Sequence, residues 1–202
     1  MNLIFDFDGT ICDSFNVAIE IFRKNFPEYF SDDITPEYAR SIGVKKLIKK
    51  TNFPKHLLPK LMLQGSKEMV KIIPRLKTFP KINEVIKKLS KGNVLGIITN
   101  NSEENVRTFL KNNDLNMCFD FVYSTSSLFG KDSTIKKVIK EIKLKKKDTI
   151  YIGDQTSDVE AAKRVSVRSA AVTWGYEAES VLKKSIPTYI IKKPQELLLL
   201  FN

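Results

Sequence analysis

Seven polar residues that suit phosphoryl chemistry follow short apolar runs of the chain or stand in a loop between them. Two carboxylates end the first run, and a hydroxyl, an amide, a lysine and two more carboxylates come later: Asp6, Asp8, Thr99, Asn100, Lys131, Asp154 and Asp158. Open α/β sheets bind their ligands at the carboxyl ends of their strands. The pattern therefore predicts that these residues share one site.

The chemistry of this set is that of a hard metal ion and a phosphoryl group. Carboxylate oxygens without a histidine suit Mg²⁺. A lysine and a hydroxyl can hold phosphoryl oxygens. Together these residues predict metal-assisted phosphoryl transfer through an aspartyl-phosphate.

Composition argues against several other kinds of active site. His56 is the only histidine among 202 residues, so a zinc site of Cys and His is a poor fit. A Ser-His-Asp or Cys-His mechanism would have to use His56. With only two cysteines, Cys12 and Cys118, the chain is not a disulfide-stapled secreted scaffold.

Short apolar runs bounded by Gly, Asn, Asp or Lys predict the strands that position these residues. The runs lie at 3–7, 94–98, 121–123, 149–152 and 170–173. Between them, apolar residues at helical spacing predict amphipathic helices. Strand and helix alternate from residue 81 to residue 185, so we predict an α/β fold with a doubly wound, Rossmann-like parallel sheet.

The stretch 14–77 interrupts this alternation. It has no convincing strand, and its apolar residues recur at helical spacing, as at Leu58, Leu61, Met62, Met69 and Val70. We predict a small helical cap at 15–77, inserted after the first strand. Residues 1–14 and 78–202 would then form the α/β catalytic core.

Four motifs in this order resemble those of the haloacid dehalogenase superfamily of phosphohydrolases. They are Phe5-Asp6-Phe7-Asp8-Gly9-Thr10, Ile97-Ile98-Thr99-Asn100, Lys131, and Tyr151-Ile152-Gly153-Asp154 followed by Asp158. Residues 153–162 and Val172-Thr173-Trp174-Gly175-Tyr176 resemble the phosphoglycolate phosphatase-like branch. The resemblance implies a Mg²⁺-dependent phosphatase acting on a small phosphorylated metabolite, with phosphoglycolate as the leading substrate.

The resemblance also implies a role for each motif residue. Asp6 matches the nucleophile and Asp8 the general acid/base. Thr99, Asn100 and Lys131 match phosphate-binding residues. Asp154, together with Asp6 and the main-chain carbonyl of Asp8, matches the metal ligands. Asp158 matches a residue that orients a metal-bound water or Lys131.

Two stretches differ from the family pattern or match it loosely. Lys131 is followed by Asp132-Ser133-Thr134, where the branch usually has prolines. Arg40-Ser41-Ile42-Gly43 resembles the cap stretch that contacts substrate, where an arginine could hold a carboxylate. A helix that simply ends at Gly43 is an alternative interpretation of the same residues.

Two alternatives to a phosphatase remain open. A β-phosphoglucomutase-like phosphotransferase would use the same core, but the chain lacks a histidine soon after the first motif. A phosphate- or nucleic-acid-binding module without turnover would suit the net charge of +11. Aromatics are not interleaved with the lysine doublets, so we favour a solvated basic surface that draws small anions and expect no nucleic-acid partner.

The ends and the hydropathy of the chain give a prediction of location. No basic segment precedes an apolar signal-like run, and no apolar run approaches the roughly 20 residues of a membrane span. We therefore expect a cytoplasmic protein without a membrane partner. We separately expect a monomer or a homodimer.

Overall fold

The computed structural model describes residues 1–125 and 130–200. Residues 126–129 and 201–202, which the predicted core range includes, lie outside the described residues. The described strands are β1 (Asn2–Phe5), β2 (Val94–Thr99), β3 (Phe121–Ser124), β4 (Thr149–Gly153), β5 (Arg168–Val172) and β6 (Tyr189–Ile191). They form one sheet in the order β3-β2-β1-β4-β5-β6, in which every neighbouring pair is parallel. This confirms the predicted α/β class; the edge strand β6 was not predicted.

Helices cover both faces of the sheet because successive side chains of a strand point to opposite sides. Leu3 and Phe5 face the helices α5 (Ile82–Leu89) and α6 (Glu103–Asn112) in one apolar core. Ile4 faces the other side, in a second core with α7 (Gly130–Glu141) and α8 (Thr156–Arg164). A short helix, α9 (Glu179–Leu182), precedes β6. The sheet is therefore doubly wound, as predicted.

A helical segment is inserted between β1 and α5. Its helices are α1 (Phe15–Asn25), α2 (Pro36–Ile42), α3 (Val44–Lys50) and α4 (Leu58–Ile72), with short 3₁₀ turns at Lys55–Leu57 and Ile73–Arg75. The segment has an apolar core of its own, centred on Phe26, Phe30 and Phe53. The chain enters and leaves it beside a backbone bridge between Cys12 and Thr78. Among the described residues, no helix has the length and apolar character needed to cross a bilayer.

Candidate active site

The central position of β1 brings the predicted site residues together. Phe5 is paired with Ile97 of β2 on one side and with Ile152 of β4 on the other. The amide of Asp6 extends this pairing by donating to the carbonyl of Ile152 at 2.8 Å. The segments that follow β1, β2 and β4 therefore leave the same edge of the sheet side by side.

Three buried carboxylates converge at this edge. Oxygens of Asp6, Asp154 and Asp158 all lie within 4.8 Å of one another. The three residues are 4%, 0% and 1% exposed, so water screens their mutual repulsion little. Such a cluster needs a compensating cation.

Lys131 supplies a positive charge to this cluster. Its Nζ lies 2.7 Å from Oδ2 of Asp6 and 2.5 Å from Oδ1 of Asp158. Burial disfavours the ammonium, but the two carboxylates outweigh that effect and raise the pKa of Lys131 well above its usual value. The lysine is therefore held as a cation between Asp6 and Asp158.

The Asp6 carboxylate is poised between its charged and neutral forms. Burial and the nearby Asp158 raise its pKa, while Lys131 and the Phe7 amide, which donates to Oδ1 at 2.8 Å, oppose the rise. The pKa of Asp6 reaches about 7. An additional cation would favour the charged form.

Asp154 is fixed by contacts from two loops. The Thr10 hydroxyl donates to Oδ1 at 2.8 Å, and the Tyr176 amide donates to Oδ2 at 2.7 Å. Gly9 has a φ of +77°, and a Cβ there would lie 2.3 Å from Oδ2 of Asp154. A Cβ on Gly175 would lie 2.4 Å from the same oxygen. Both glycines are needed for the backbone to approach this carboxylate so closely.

Asp158 links the cluster to the start of α8. Its Oδ2 accepts a hydrogen bond from the Gln155 amide at 3.0 Å, as part of a capping box, while Oδ1 accepts from Lys131. The side chain is thereby locked in place by its own helix. It holds Lys131 together with Asp6.

Asp8 stands apart from the cluster with one oxygen unsatisfied. Asn101 donates from Nδ2 to Oδ2 of Asp8 at 3.2 Å. Oδ1 is buried and receives no hydrogen bond from the described residues. Burial raises the pKa of Asp8, although the Asn101 hydrogen bond and the charge of Lys131 oppose the rise. A protonated Asp8 would have a proton available to donate.

Two of the predicted phosphate-binding residues, Thr99 and Asn100, lie at the end of β2 and differ in burial and in hydrogen bonding. Thr99 is buried, and its Oγ1 accepts from the Asn101 amide at 3.0 Å, which leaves the hydroxyl hydrogen to be donated. Asn100 is exposed at the surface of the site, and its Oδ1 accepts a hydrogen bond from the Thr125 hydroxyl. Sequence reasoning missed Asn101, although it directly follows the motif and precedes the helix cap Ser102.

Arg40 and Gly43 lie where the helical segment meets the core. Arg40 donates from Nε to the Gly175 carbonyl at 3.0 Å, and its guanidinium stacks 4.5 Å from the Phe15 ring centroid. Gly43 ends α2 and begins α3 with a φ of +81°, and a Cβ there would meet the Glu177 carboxylate at 2.9 Å. These contacts attach the segment to the loop that carries Tyr176.

A pocket opens beside Asp8, between the sheet edge and the helical segment. Its volume is about 270 Å³. Asp8, Asn100, Asn101 and Gln155 line one end, and side chains from α1 and α4 line the other. A ligand that enters the pocket can thus approach Asp8 from the side of the helical segment.

The sequence is similar to one protein family and to named relatives over most of its length. Residues 3–172 match the sequence model of the family described as haloacid dehalogenase-like hydrolase. A phosphoglycolate phosphatase from Synechococcus elongatus is 28% identical, over 97% of this chain and 94% of the relative. A pyrophosphatase from Bacillus mycoides is 21% identical, over 97% and 94%.

Solved structures share the fold. A haloacid dehalogenase-like hydrolase from Streptococcus pneumoniae superposes with a TM-score of 0.78 and 24% identity, over 100% of this chain and 98% of that one. A structure from Clostridium acetobutylicum, described as a predicted phosphatase, gives a TM-score of 0.80 and 22% identity, over 97% and 95%.

Proposed function

The chain belongs to the haloacid dehalogenase-like hydrolase family and is a phosphatase of that family; we propose that it hydrolyses a small phosphorylated metabolite through an aspartyl-phosphate, with Mg²⁺ as its cofactor. One observation carries this proposal. A lysine-bound carboxylate, Asp6, and a second carboxyl group with an unsatisfied buried oxygen, Asp8, follow the same central strand two residues apart.

Asp6 is proposed as the nucleophile. Its carboxylate oxygen attacks phosphorus, the P–O bond to the alcohol breaks, and the phosphoryl group remains on Asp6. Lys131 lies 2.7 Å from Oδ2 of Asp6, so it is next to any phosphorus bonded to that carboxylate. The ammonium and the Thr99 hydroxyl would offset negative charge on the phosphoryl oxygens.

Asp8 is proposed as the general acid and then the general base. Its raised pKa favours the protonated form, which can donate a proton to the departing alkoxide. The resulting carboxylate then takes a proton from the water that attacks the aspartyl-phosphate. Asn101, at 3.2 Å, holds Asp8 in position for both steps.

The donor set suits Mg²⁺. Asp6 and Asp154 offer oxygens within 4.8 Å of each other, and carboxylates are the ligands this ion prefers. The glycines at 9 and 175 leave no Cβ between their loops and Asp154, so the backbone of both loops approaches this carboxylate closely. Asp6, Asp154 and the Asp8 carbonyl would hold the ion. When bound, Mg²⁺ supplies positive charge to the transferring phosphoryl group.

Residues 15–77 are proposed as a cap over this site, on the core formed by 1–14 and 78–202. The pocket beside Asp8 is bounded by α1 and α4 of that segment, which supports a role in substrate selection and water exclusion. Sequence similarity alone makes phosphoglycolate a candidate substrate, because a relative matched over nearly the whole chain is named phosphoglycolate phosphatase. The cytoplasmic location and the monomeric or homodimeric state stay predictions.

Hydrolysis of para-nitrophenyl phosphate tests the proposal. We expect turnover in the presence of Mg²⁺, loss of turnover with a chelator, and recovery when Mg²⁺ is restored. After acid quenching, radiolabelled phosphate from substrate should remain on the protein and should be absent from the Asp6→Asn variant. Full turnover in chelator, or no covalent label during turnover, would contradict the mechanism.

A further inference from the structure

The pocket beside Asp8 is polar at the core end and apolar at the other. The core end is lined by carboxyl, amide and phenol groups. The far end is lined by apolar side chains of the helical segment, including Phe15, Ile19 and Phe22 of α1 and Leu61, Met62 and Met69 of α4. A bound phosphate ester would therefore place its phosphoryl group at the core and its alcohol portion among apolar side chains.

The described pocket lining contains no cation. Asp8 is its charged residue, and Ser66 is the hydroxyl that α4 contributes. The chain has 34 lysines and arginines, and α4 itself carries Lys60, Lys67 and Lys71, yet none of them lines the pocket. Arg40, in the stretch where an arginine could hold a substrate carboxylate, contacts Gly175 and Phe15.

This lining makes the pocket unfavourable for a substrate whose alcohol portion carries a charge. A carboxylate or a second phosphate placed among these side chains would lose hydration without gaining a partner, which is costly. An apolar group in the same place would gain from leaving water. The lining thus discriminates against glycolate-like and pyrophosphate-like substrates.

We propose that the preferred substrates are phosphate monoesters of uncharged, apolar alcohols, an inference that rests on the phosphatase activity proposed above. The size of the alcohol follows from the pocket. A dry cavity of about 150 Å³ holds a benzene ring. The volume here is about 270 Å³, which suits one ring or a branched chain of similar size.

A series of n-alkyl phosphates isolates the apolar contribution. From ethyl to butyl to hexyl phosphate the leaving alcohol hardly changes in acidity, so a change in kcat/KM reports contacts with the alkyl chain. We expect kcat/KM to rise with each added methylene, by up to about fourfold, the ratio that full burial of one methylene corresponds to. Phosphoglycolate should be hydrolysed less efficiently than butyl phosphate.

Two neighbouring residues of α4 give a matched pair of variants. Met62 lines the pocket, whereas Leu63 does not, and both are exposed, at 63% and 56%. Met62→Lys should flatten the dependence on chain length and raise kcat/KM for phosphoglycolate relative to butyl phosphate. Leu63→Lys, which adds the same charge one residue away, should keep the wild-type series.

The outcomes separate this inference from the proposed function. If all esters are hydrolysed but kcat/KM is flat or falls with chain length, or phosphoglycolate exceeds butyl phosphate, the preference for apolar alcohols is wrong and the phosphatase proposal stands. An identical change in both α4 variants would also overturn the preference. If no ester is hydrolysed, para-nitrophenyl phosphate included, both proposals fail together.

Discussion

Lys131 and Asp158 form an ion pair that is almost fully buried, with Nζ 2.5 Å from Oδ1 and side-chain exposures of 10% and 1%. Asp158 also accepts from the Gln155 amide, so its carboxylate is fixed by the first turn of α8. The pair therefore sets the position of the lysine relative to Asp6. Capping of α8 and the proposed binding of phosphate by Lys131 thus depend on the same carboxylate.

Replacing Asp158 with Asn should lower both stability and activity. The variant leaves the buried ammonium of Lys131 with Asp6 alone, and loss of one partner from a buried pair costs about 3 kcal/mol of unfolding free energy. Glu160→Gln, on the same helix, removes a half-exposed partner of Lys45 and should cost less than about 1 kcal/mol. Urea unfolding measures the unfolding free energy of the two variants. Equal effects from the two variants would contradict the assigned role of Asp158.

Replacing Asp6 with Asn should abolish turnover while the protein stays folded. A neutral amide cannot form the aspartyl-phosphate, so kcat should fall by at least about 10³-fold. Asp13→Asn removes an exposed carboxylate seven residues along the chain and should retain wild-type kcat. Steady-state hydrolysis of para-nitrophenyl phosphate gives both values. Substantial turnover in Asp6→Asn would exclude the covalent mechanism.

The stability of the metal-free protein should depend on pH through Asp6. Its pKa is about 7 when folded, above the ordinary value of 3.8, so between these values the folded chain binds a proton that the unfolded chain has released. The unfolding free energy should therefore fall as pH rises from about 4 to about 7, by up to roughly 1.4 kcal/mol per pH unit.

The Asp6→Asn variant isolates this contribution from that of Asp154, whose pKa burial also raises. Its curve of unfolding free energy against pH should be flatter than that of the wild type in chelator. Added Mg²⁺ should flatten the wild-type curve, because a bound cation favours the charged carboxylate. Parallel curves for wild type and variant would show that Asp6 does not titrate in this range.

The positions where the strands end could be predicted from the sequence, because each strand is a short apolar run that stops at polar residues. Asp6, Thr99 and Asp154 follow such runs, and parallel pairing then places them side by side. The edge strand β6 has only three residues and lies between Pro187 and Lys192, so its apolar run was too short to be distinctive. Its position depends on pairing with β5 and not on a distinctive residue pattern of its own.

The pocket could not be predicted from periodicity. The apolar residues of α4 predict a buried helix face, but Met62 is 63% exposed and Val70 is 42% exposed. Met62 lines the pocket instead of a closed core. A pattern of apolar residues does not distinguish a face that packs against protein from one that receives a ligand. Likewise, the turn after Thr99, and not residue type, decides that Asn101 contacts Asp8.

Replacing Asn101 with Ala should change the pH profile as well as the rate. The Asn101 hydrogen bond lowers the pKa of Asp8, so its loss should raise that pKa and move the alkaline limb of kcat to higher pH. Looser placement of Asp8 should also reduce kcat about tenfold at neutral pH. Asn112→Ala, which removes an exposed amide bonded to the Pro74 carbonyl, should leave the profile unchanged. A lower kcat with an unshifted alkaline limb would show that Asn101 supports the structure but does not change the pKa of Asp8.

Replacing Arg40 with Gln distinguishes a substrate-binding arginine from one that attaches the cap. Arg40 donates to the Gly175 carbonyl and stacks on Phe15, and its own carbonyl accepts from the Ala178 amide at 3.0 Å. It therefore braces the loop whose Tyr176 amide holds Asp154. Loss of that support should lower kcat/KM for phosphoglycolate and for ethyl phosphate by the same factor, because Asp154, a proposed metal ligand, would act on the phosphoryl group that both substrates share.

A direct salt bridge to substrate predicts a different result for the same variant. Without Arg40, phosphoglycolate would then lose a charge-assisted hydrogen bond, worth about 1.5–3 kcal/mol, while ethyl phosphate would lose nothing. The ratio of the two kcat/KM values is thus the deciding measurement, and Arg75→Gln, at an exposed position, is the control for loss of one positive charge. We expect an unchanged ratio in Arg40→Gln. A fall in this ratio of about tenfold or more, which is what loss of that hydrogen bond would cause, would instead show that Arg40 contacts the substrate carboxylate.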